Sequence, residues 1–331
     1  MKKYKAAILG YYGFGNLGEE LLLSACMEMF SRCGVSRESL VILSNTPEEI
    51  SRNFGAESVN RWRLREVVRA FRNSESLLLG GGGLFQDTSS VKSCVWYWGI
   101  VRLARLCGCR VWALGQSVGP LGSGVSRMLA GDALRLCETL HVRDEKSYTL
   151  AESLGCKNLV KGCDLVMTLK PEAYTPNPAT SPINPEAYPS REKGYMLVNL
   201  RPCKNLDSFT KIIAPHLKDY RVVGAALSDE DVNALGVLGL REIVRVKTFH
   251  DAAELWAGAS GAVGMRLHFG VLSRIFGTPI AVMPYDTKVS EFASQSGVPC
   301  IVSEWHDPVM PLPVPGCVDK IDNICREFLA L

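Results

Sequence analysis

No stretch of this sequence stays apolar for anything near the roughly 18 residues that a membrane-spanning helix needs. A soluble protein is therefore expected, with contact at a membrane surface left open. The opening segment MKKYKAAILGYYGFGN begins with basic residues, as a signal peptide does. Its apolar run before Gly10 is only about four residues, short of the about 7–15 of a signal-peptide core, and no cleavage site follows. A soluble, cytoplasmic chain is expected. The net charge of +3 is too small to argue for a nucleic-acid partner, and none is expected. There is no C-x-x-C pair among the 12 cysteines; Cys107 and Cys109 come closest, as a lone C-x-C without a second cluster. Several cysteines lie in apolar words such as SACMEMF and RLCET, where a thiol behaves as a small hydrophobe. Reduced, structural cysteines are expected. No clustered His/Asp/Glu set suggests a metal, so no metal and no cofactor are anticipated.

What is present is length and alternation. A chain of 331 residues with 47% hydrophobic content is long enough for two α/β domains with a core each. Buried strands are read at 5–10, 41–45, 76–87, 110–120 and a short one near 139, with helices over about 19–33, 61–73 and up to 155. A proline-rich interval at 171–194 reads as a linker or long loop. Strands then resume at 195–200, 220–227, 261–265, 278–283 and 298–302, with helices at 204–219, 229–239, 251–259 and 268–276. The predicted fold is α/β: two Rossmann-like, doubly wound domains facing a cleft. The predicted boundaries are 1–170, the linker 171–194, a second domain at 195–305, and a segment 306–331 that returns to the first.

Three glycine-rich turns follow strands of the first domain: GYYGFGNLG at 10–18, GGGG at 80–83 and GQSVGP at 115–120. In a parallel sheet such turns open at one edge, where ligands bind. Glycine there lets a ligand approach the backbone. Gly13, Asn16, Gly18, Gly82, Gly83, Gln86 and Gln116 are the candidate ligand-facing positions of these loops. A dinucleotide fingerprint does not fit: the spacing differs from G-x-G-x-x-G, and Ser44-Asn45 stand where a ribose-binding acid would end the second strand. The bland alternative is that each glycine only permits a tight turn.

The second domain supplies GMRLHFG (264–270). In extended backbone Arg266 and His268 would share a side. A guanidinium fork beside an imidazole suits an acidic substrate that must also exchange a proton. Arg143 in HVRDEKS and Lys288 in PYDTKV hold comparable positions after strands. Taken singly, each could be a solvated charge paired with Asp144 or Asp286. On the helix expected at 61–73, Arg61, Arg65, Arg69 and Arg72 share a face. An ordinary amphipathic surface helix is one account; contact with anionic lipid headgroups or a pyrophosphate is the other.

In order and wording, the segments GYYGFGNLGEE, GGGGLFQD, GQSVGP, VRDEKS, GMRLHFG and YDTKVSEFA resemble the polysaccharide pyruvyl transferase family, CsaB type, over most of the chain. The resemblance implies a GT-B-like fold and transfer of pyruvate from phosphoenolpyruvate, as co-substrate, onto a sugar as a cyclic ketal. The implied acceptor is N-acetylmannosamine of a lipid-linked cell-wall polysaccharide precursor. It further implies a role in secondary cell wall polysaccharide and S-layer anchoring, at the inner face of the plasma membrane. By motif match, Arg143, Arg266, His268 and Lys288 take the donor-site roles, with His268, Arg143 and Lys288 catalytic. Glu19 and Ser117 depart from the family's usual residues and bear on the acceptor side. A nucleotide-sugar-dependent GT-B glycosyltransferase is the nearest alternative, and a non-enzymatic binding protein on the same scaffold is the other.

Overall fold

Runs such as AAIL, LVIL and SLLL are apolar at consecutive positions, so both faces of those strands must be buried, which parallel sheets with helices on each side achieve. In this computed structural model, which describes residues 2–88, 90–171, 194–314 and 316–330, these three runs lie in the first of two parallel sheets. The first contains β1 (Tyr4–Leu9), β2 (Leu40–Ser44), β3 (Glu57–Asn60), β4 (Ser74–Phe85), β5 (Arg110–Val118), β6 (Cys137–Val142) and β7 (Leu159–Lys161). Their order is β3-β2-β1-β4-β5-β6-β7. Helices α1 (Leu17–Arg32), α2 (Pro47–Phe54), α3 (Leu64–Arg72), α4 (Val91–Leu106), α5 (Gly124–Leu134) and α6 (Glu145–Ser153) make the crossovers.

The second sheet contains β8 (Tyr195–Asn199), β9 (Val222–Ala226), β10 (Ile243–Arg245), β11 (Ala259–Gly264) and β12 (Ile280–Val282), in the order β10-β9-β8-β11-β12. It is wound by α7 (Leu206–Leu217), α8 (Asp229–Gly236), α9 (Phe249–Ala257), α10 (Leu267–Ile275) and α11 (Thr287–Ser296). Both orders reverse once, between β1 and β4 and between β8 and β11. These are the topological switch points at which loops diverge and leave room for a ligand. Both sheets are therefore Rossmann-like, as the alternating pattern implies.

The chain divides into two compact units, Met1–Phe14 with Glu19–Leu169 and Gly316–Leu331, and Gly15–Gly18 with Lys170–Pro315. The last helix, α12 (Cys317–Ala330), belongs to the first unit, where Phe328 meets Phe30 (5.4 Å) and Trp112 (5.3 Å) edge-on. Asp322 pairs with Arg32 at 2.7 Å.

Several expectations are revised. Cys163 and Cys317 form a disulfide with a Cα separation of 6.0 Å, inside the normal range, whereas all cysteines were expected to be reduced. Ten others are free thiols, and burial raises Cys137 well above the usual thiol range. The stretch 298–302 is not a strand: Pro299 has no N–H to give a ladder, and only Cys300 bridges to Val282. The helix expected at 61–73 begins at Leu64. The proline-rich linker lies, at 172–193, outside the described residues. Among the described residues no helix is long and apolar enough to cross a membrane.

Candidate active site

In the second unit, the carboxyl ends of β8, β11 and β12 bring three short segments to one edge of the sheet. Arg201 follows β8, Arg266 and His268 follow β11, and Lys288 follows β12. Arg266 is the N-cap residue of α10 and has extended backbone (φ −78°, ψ 138°), but the helix starts at Leu267. His268 therefore sits in the first helical turn, and the shared side expected for an extended Arg-x-His does not arise. Lys288 lies in the first turn of α11, where the Asp286 carboxylate accepts the N–H groups of Lys288 (3.0 Å) and Val289 (3.1 Å). That cap fixes the turn that carries the lysine.

Arg266 is not a bare cation. Its Nε donates to Asp231 Oδ2 (2.7 Å), and its Nη2 donates to Asp231 Oδ1 (2.7 Å), Glu230 Oε1 (2.6 Å) and Ser228 Oγ (2.6 Å). Burial disfavours its charge, but the hydrogen bonds to Asp231 and then that carboxylate's field outweigh burial and raise the pKa. Asp231 is fully buried and also accepts from the Leu227 (3.0 Å) and Ser228 (3.2 Å) N–H groups, so one carboxylate starts α8 and orients the guanidinium. The Arg266 N–H donates to Asn199 Oδ1 (3.0 Å), which ties the loop after β11 to the end of β8 across the switch point. Among the described residues Nη1 of Arg266 makes no hydrogen bond, so one edge of the fork remains for a ligand. Arg201 lies over the Tyr285 ring (4.5 Å to its centre) and donates to the Tyr285 hydroxyl (2.9 Å). Burial, and then the Asp286 charge, raises the Tyr285 phenol.

The second unit also includes Gly15–Gly18. Leu17 N–H donates to Leu227 C=O (2.9 Å), and Arg245 Nη2 donates to Gly15 C=O (2.7 Å). Asn16 Oδ1 accepts the Gly18 N–H (3.2 Å). A Cβ at Gly18 would overlap the imidazole Nδ1 of His268, so this glycine is required by close approach.

In the first unit, Arg143 is almost fully buried. It donates to Asp164 Oδ2 (2.8 Å) and lies 3.8 Å from Asp144 Oδ2. Asp144 caps α6 by accepting the Ser147 N–H (2.8 Å) and also accepts from Ser117 Oγ (3.0 Å). Gln116 is buried as well, its Nε2 donating to Leu79 C=O (3.1 Å) and Leu114 C=O (3.2 Å). Through that nitrogen it braces β4 against β5. Gly13 (φ +78°) gives its N–H to Glu20 Oε1 (2.8 Å) and packs on Ser44 and Thr46. Gly82 (φ +85°) makes room for Glu19, whose carboxylate would lie 2.8 Å from a Cβ there; Gly83 continues β4, half-buried. Gln86 Oε1 turns back to accept the Thr88 N–H (2.8 Å).

The sequence reading passed over Arg201, Asp231 and Tyr285. Arg201 follows a buried strand by the same rule that marked Arg266 and could have been found by it. Asp231 stands 35 residues before Arg266, and nothing local marks the pair.

The polysaccharide pyruvyl transferase family model matches residues 16–287. Among solved structures, a UDP-GlcNAc 2-epimerase from Methanocaldococcus jannaschii has a TM-score of 0.68 at 9% identity, covering 98% of this chain and 99% of that one. Anabaena HepE, solved with UDP and glucose, gives 0.59 at 11% identity, covering 98% and 91%. A putative UDP-N-acetylglucosamine 2-epimerase from Listeria monocytogenes gives 0.59 at 12%, covering 100% and 89%. At these identities the likeness concerns the fold, which is of the GT-B kind. No curated protein matches the sequence. The family match spans the glycine-rich turns at 80–83 and 115–120 and, in the second unit, the segments that carry Arg201, Arg266 and His268, so the chain belongs to the polysaccharide pyruvyl transferase family.

Proposed function

We propose that this chain transfers pyruvate from phosphoenolpyruvate to two hydroxyls of one sugar, forming a cyclic ketal and releasing phosphate. The observation that carries the reading is the row of basic groups at the carboxyl ends of β8, β11 and β12. Phosphoenolpyruvate carries a carboxylate and a phosphate on the same enol carbon, and forked guanidiniums match both in charge and geometry. Arg266 offers its outer edge, aimed by Asp231. Arg201, steadied by Tyr285, supplies a second fork, and Lys288 a compact third charge.

His268 serves as general acid and base. A proton delivered to the methylene carbon makes the neighbouring carbon electrophilic. One sugar hydroxyl adds there and gives up its proton. Phosphate leaves with the carbon–oxygen electron pair and takes a proton, and the second hydroxyl closes the ring. Arg143, enclosed by Asp164 and Asp144, is left out of this donor set.

Family resemblance supports N-acetylmannosamine on a lipid-linked cell-wall precursor as the acceptor, with reaction at the cytoplasmic face of the plasma membrane. If α3 contributes to that contact, it does so through the exposed Arg65, Arg69 and Arg72, because Arg61 is buried ahead of the helix.

The test is release of phosphate from phosphoenolpyruvate that depends on such an acceptor. Thermal-shift titration with phosphoenolpyruvate and with UDP-sugars separates this reading from a nucleotide-sugar transferase, which would be stabilised by the latter alone. His268→Ala is expected to lower turnover by about a hundredfold or more with donor affinity nearly intact. Arg266→Ala is expected to weaken phosphoenolpyruvate binding at least tenfold, measured calorimetrically. Unchanged turnover in the first variant, or an unchanged isotherm in the second, overturns the corresponding role.

A further inference from the structure

At the carboxyl edge of the first sheet, five aromatic side chains gather around one buried guanidinium. Arg61, just past β3, is 3% exposed; its Nη1 donates to Gly10 C=O (2.7 Å) and its Nη2 to the Tyr97 hydroxyl (3.1 Å). Its Nε meets no hydrogen-bond acceptor among the described residues. Ring faces surround it instead, with the guanidinium carbon 4.2 Å from the centre of Trp96, 5.2 Å from Trp62 and 5.4 Å from Phe14. Tyr11 and Phe14 stack in parallel at 3.9 Å, and Trp62 and Trp96 lie 5.4 Å apart. These contacts lock the rings from behind. Yet Trp62 remains 56% exposed and Tyr11 44%. Trp62 is also held at its polar end, where Nε1 donates to Asn45 Oδ1 (2.9 Å).

Large aromatic side chains left in water cost solubility, and fixing them with a buried cation costs desolvation. Rigid exposed rings of this kind lose little entropy when a flat apolar ligand face settles on them. Asn60 and Arg63, which flank Trp62 in the chain, line with Glu48, Ser51, Arg52 and Glu66, among others, a polar cavity of about 530 Å³. Asn60 Oδ1 also accepts the backbone N–H of Trp62 (2.9 Å), so the cavity wall is tied to the backbone that carries the ring. A purely apolar chain would find no use for such a lining. A pyranose suits both halves, with C–H groups on its faces and hydroxyls at its rim.

We propose that Tyr11, Phe14, Trp62 and Trp96 form a stacking platform for a sugar ring of a saccharide, with the adjoining polar cavity receiving its hydroxyls. That the saccharide is the acceptor rests on the pyruvyl-transfer reading above; that it binds here does not.

The test is direct binding in the absence of phosphoenolpyruvate. The full chain is titrated calorimetrically with a soluble N-acetylmannosamine-containing disaccharide, and tryptophan fluorescence is followed in parallel. The expected result is saturable binding with altered fluorescence. Trp62→Ala should weaken it by roughly tenfold or more, and Trp62→Phe should restore most of the affinity. Tyr11→Ala gives a second, independent variant, expected to weaken binding severalfold. No saturable binding to the wild-type chain overturns the proposal, as does wild-type affinity in both Trp62→Ala and Tyr11→Ala. Vesicles containing polyprenyl phosphate form a separate arm. If these variants lose vesicle binding and keep the disaccharide, the platform takes lipid and the saccharide assignment falls. Failure of phosphoenolpyruvate-dependent phosphate release, with disaccharide binding intact, would strike the transfer reading and leave this site standing.

Discussion

At Glu20, burial outweighs the single N–H it receives from Gly13, and the charges of Glu19 and Glu49 add to the effect. Its pKa rises from the ordinary 4.5 to about 7. Between those two values the folded chain holds a proton that the unfolded chain has released. Stability contributed by this group is therefore fully present below about pH 4.5 and is lost as pH rises through 7. Glu20→Gln removes the ionisable group while keeping an acceptor oxygen for Gly13. It is expected to stabilise the protein by about 1–3 kcal/mol at pH 8 and to change little at pH 4.5. Urea unfolding at the two pH values reads the difference; an equal shift at both would mean packing rather than proton linkage. At this scale the sequence was only partly legible. The position of Arg266 after a buried strand could be read, but its engagement by Asp231 and Glu230 could not, because pairing across 35 residues depends on the strand order. Arg61 was misread for a related reason: i, i+4 spacing places it on a helical face only if the helix has begun, and here its guanidinium is drawn inward to Gly10 and Tyr97 first.

Elements were clearest where composition leaves one choice. AAIL, LVIL and SLLL are too short for helices and too apolar for one-sided strands, so a doubly covered parallel sheet follows. The edge strands β3 and β10 were harder, since ESVN and IVR carry polar residues and span four and three positions. Helix α4 was missed because its apolar residues run nearly all round it, leaving no periodic stripe to read. Gly18 joins an element to the site. It falls in the first turn of α1, where helix propensity by itself favours alanine. A Cβ there meets His268, however, and the imidazole must turn away. Gly18→Ala is expected to leave the melting temperature within a few degrees of wild type while turnover falls roughly 10- to 100-fold. Thermal denaturation alongside phosphate-release kinetics checks both parts. Normal turnover would show that the imidazole's placement is not what limits the reaction.

The two compact units are not two simple halves of the chain. The first contains Gly316–Leu331, which return to it after the whole of the second unit has been made. The family match ends at residue 287, well before α12, yet α12 places Phe328 against Phe30 and Trp112 and Asp322 against Arg32. Phe328 is almost wholly buried, so Phe328→Ala leaves a cavity and is expected to cost about 3–5 kcal/mol. The proposed donor residues Arg201, Arg266, His268 and Lys288 all belong to the second unit. If that unit alone holds phosphoenolpyruvate, the variant should unfold at lower urea and yet bind phosphoenolpyruvate with unchanged affinity under conditions where it is folded. Calorimetric titration beside a urea melt decides the point. A loss of affinity in the folded variant would make the first unit part of the donor site, and would return the buried Arg143 to consideration as a donor contact.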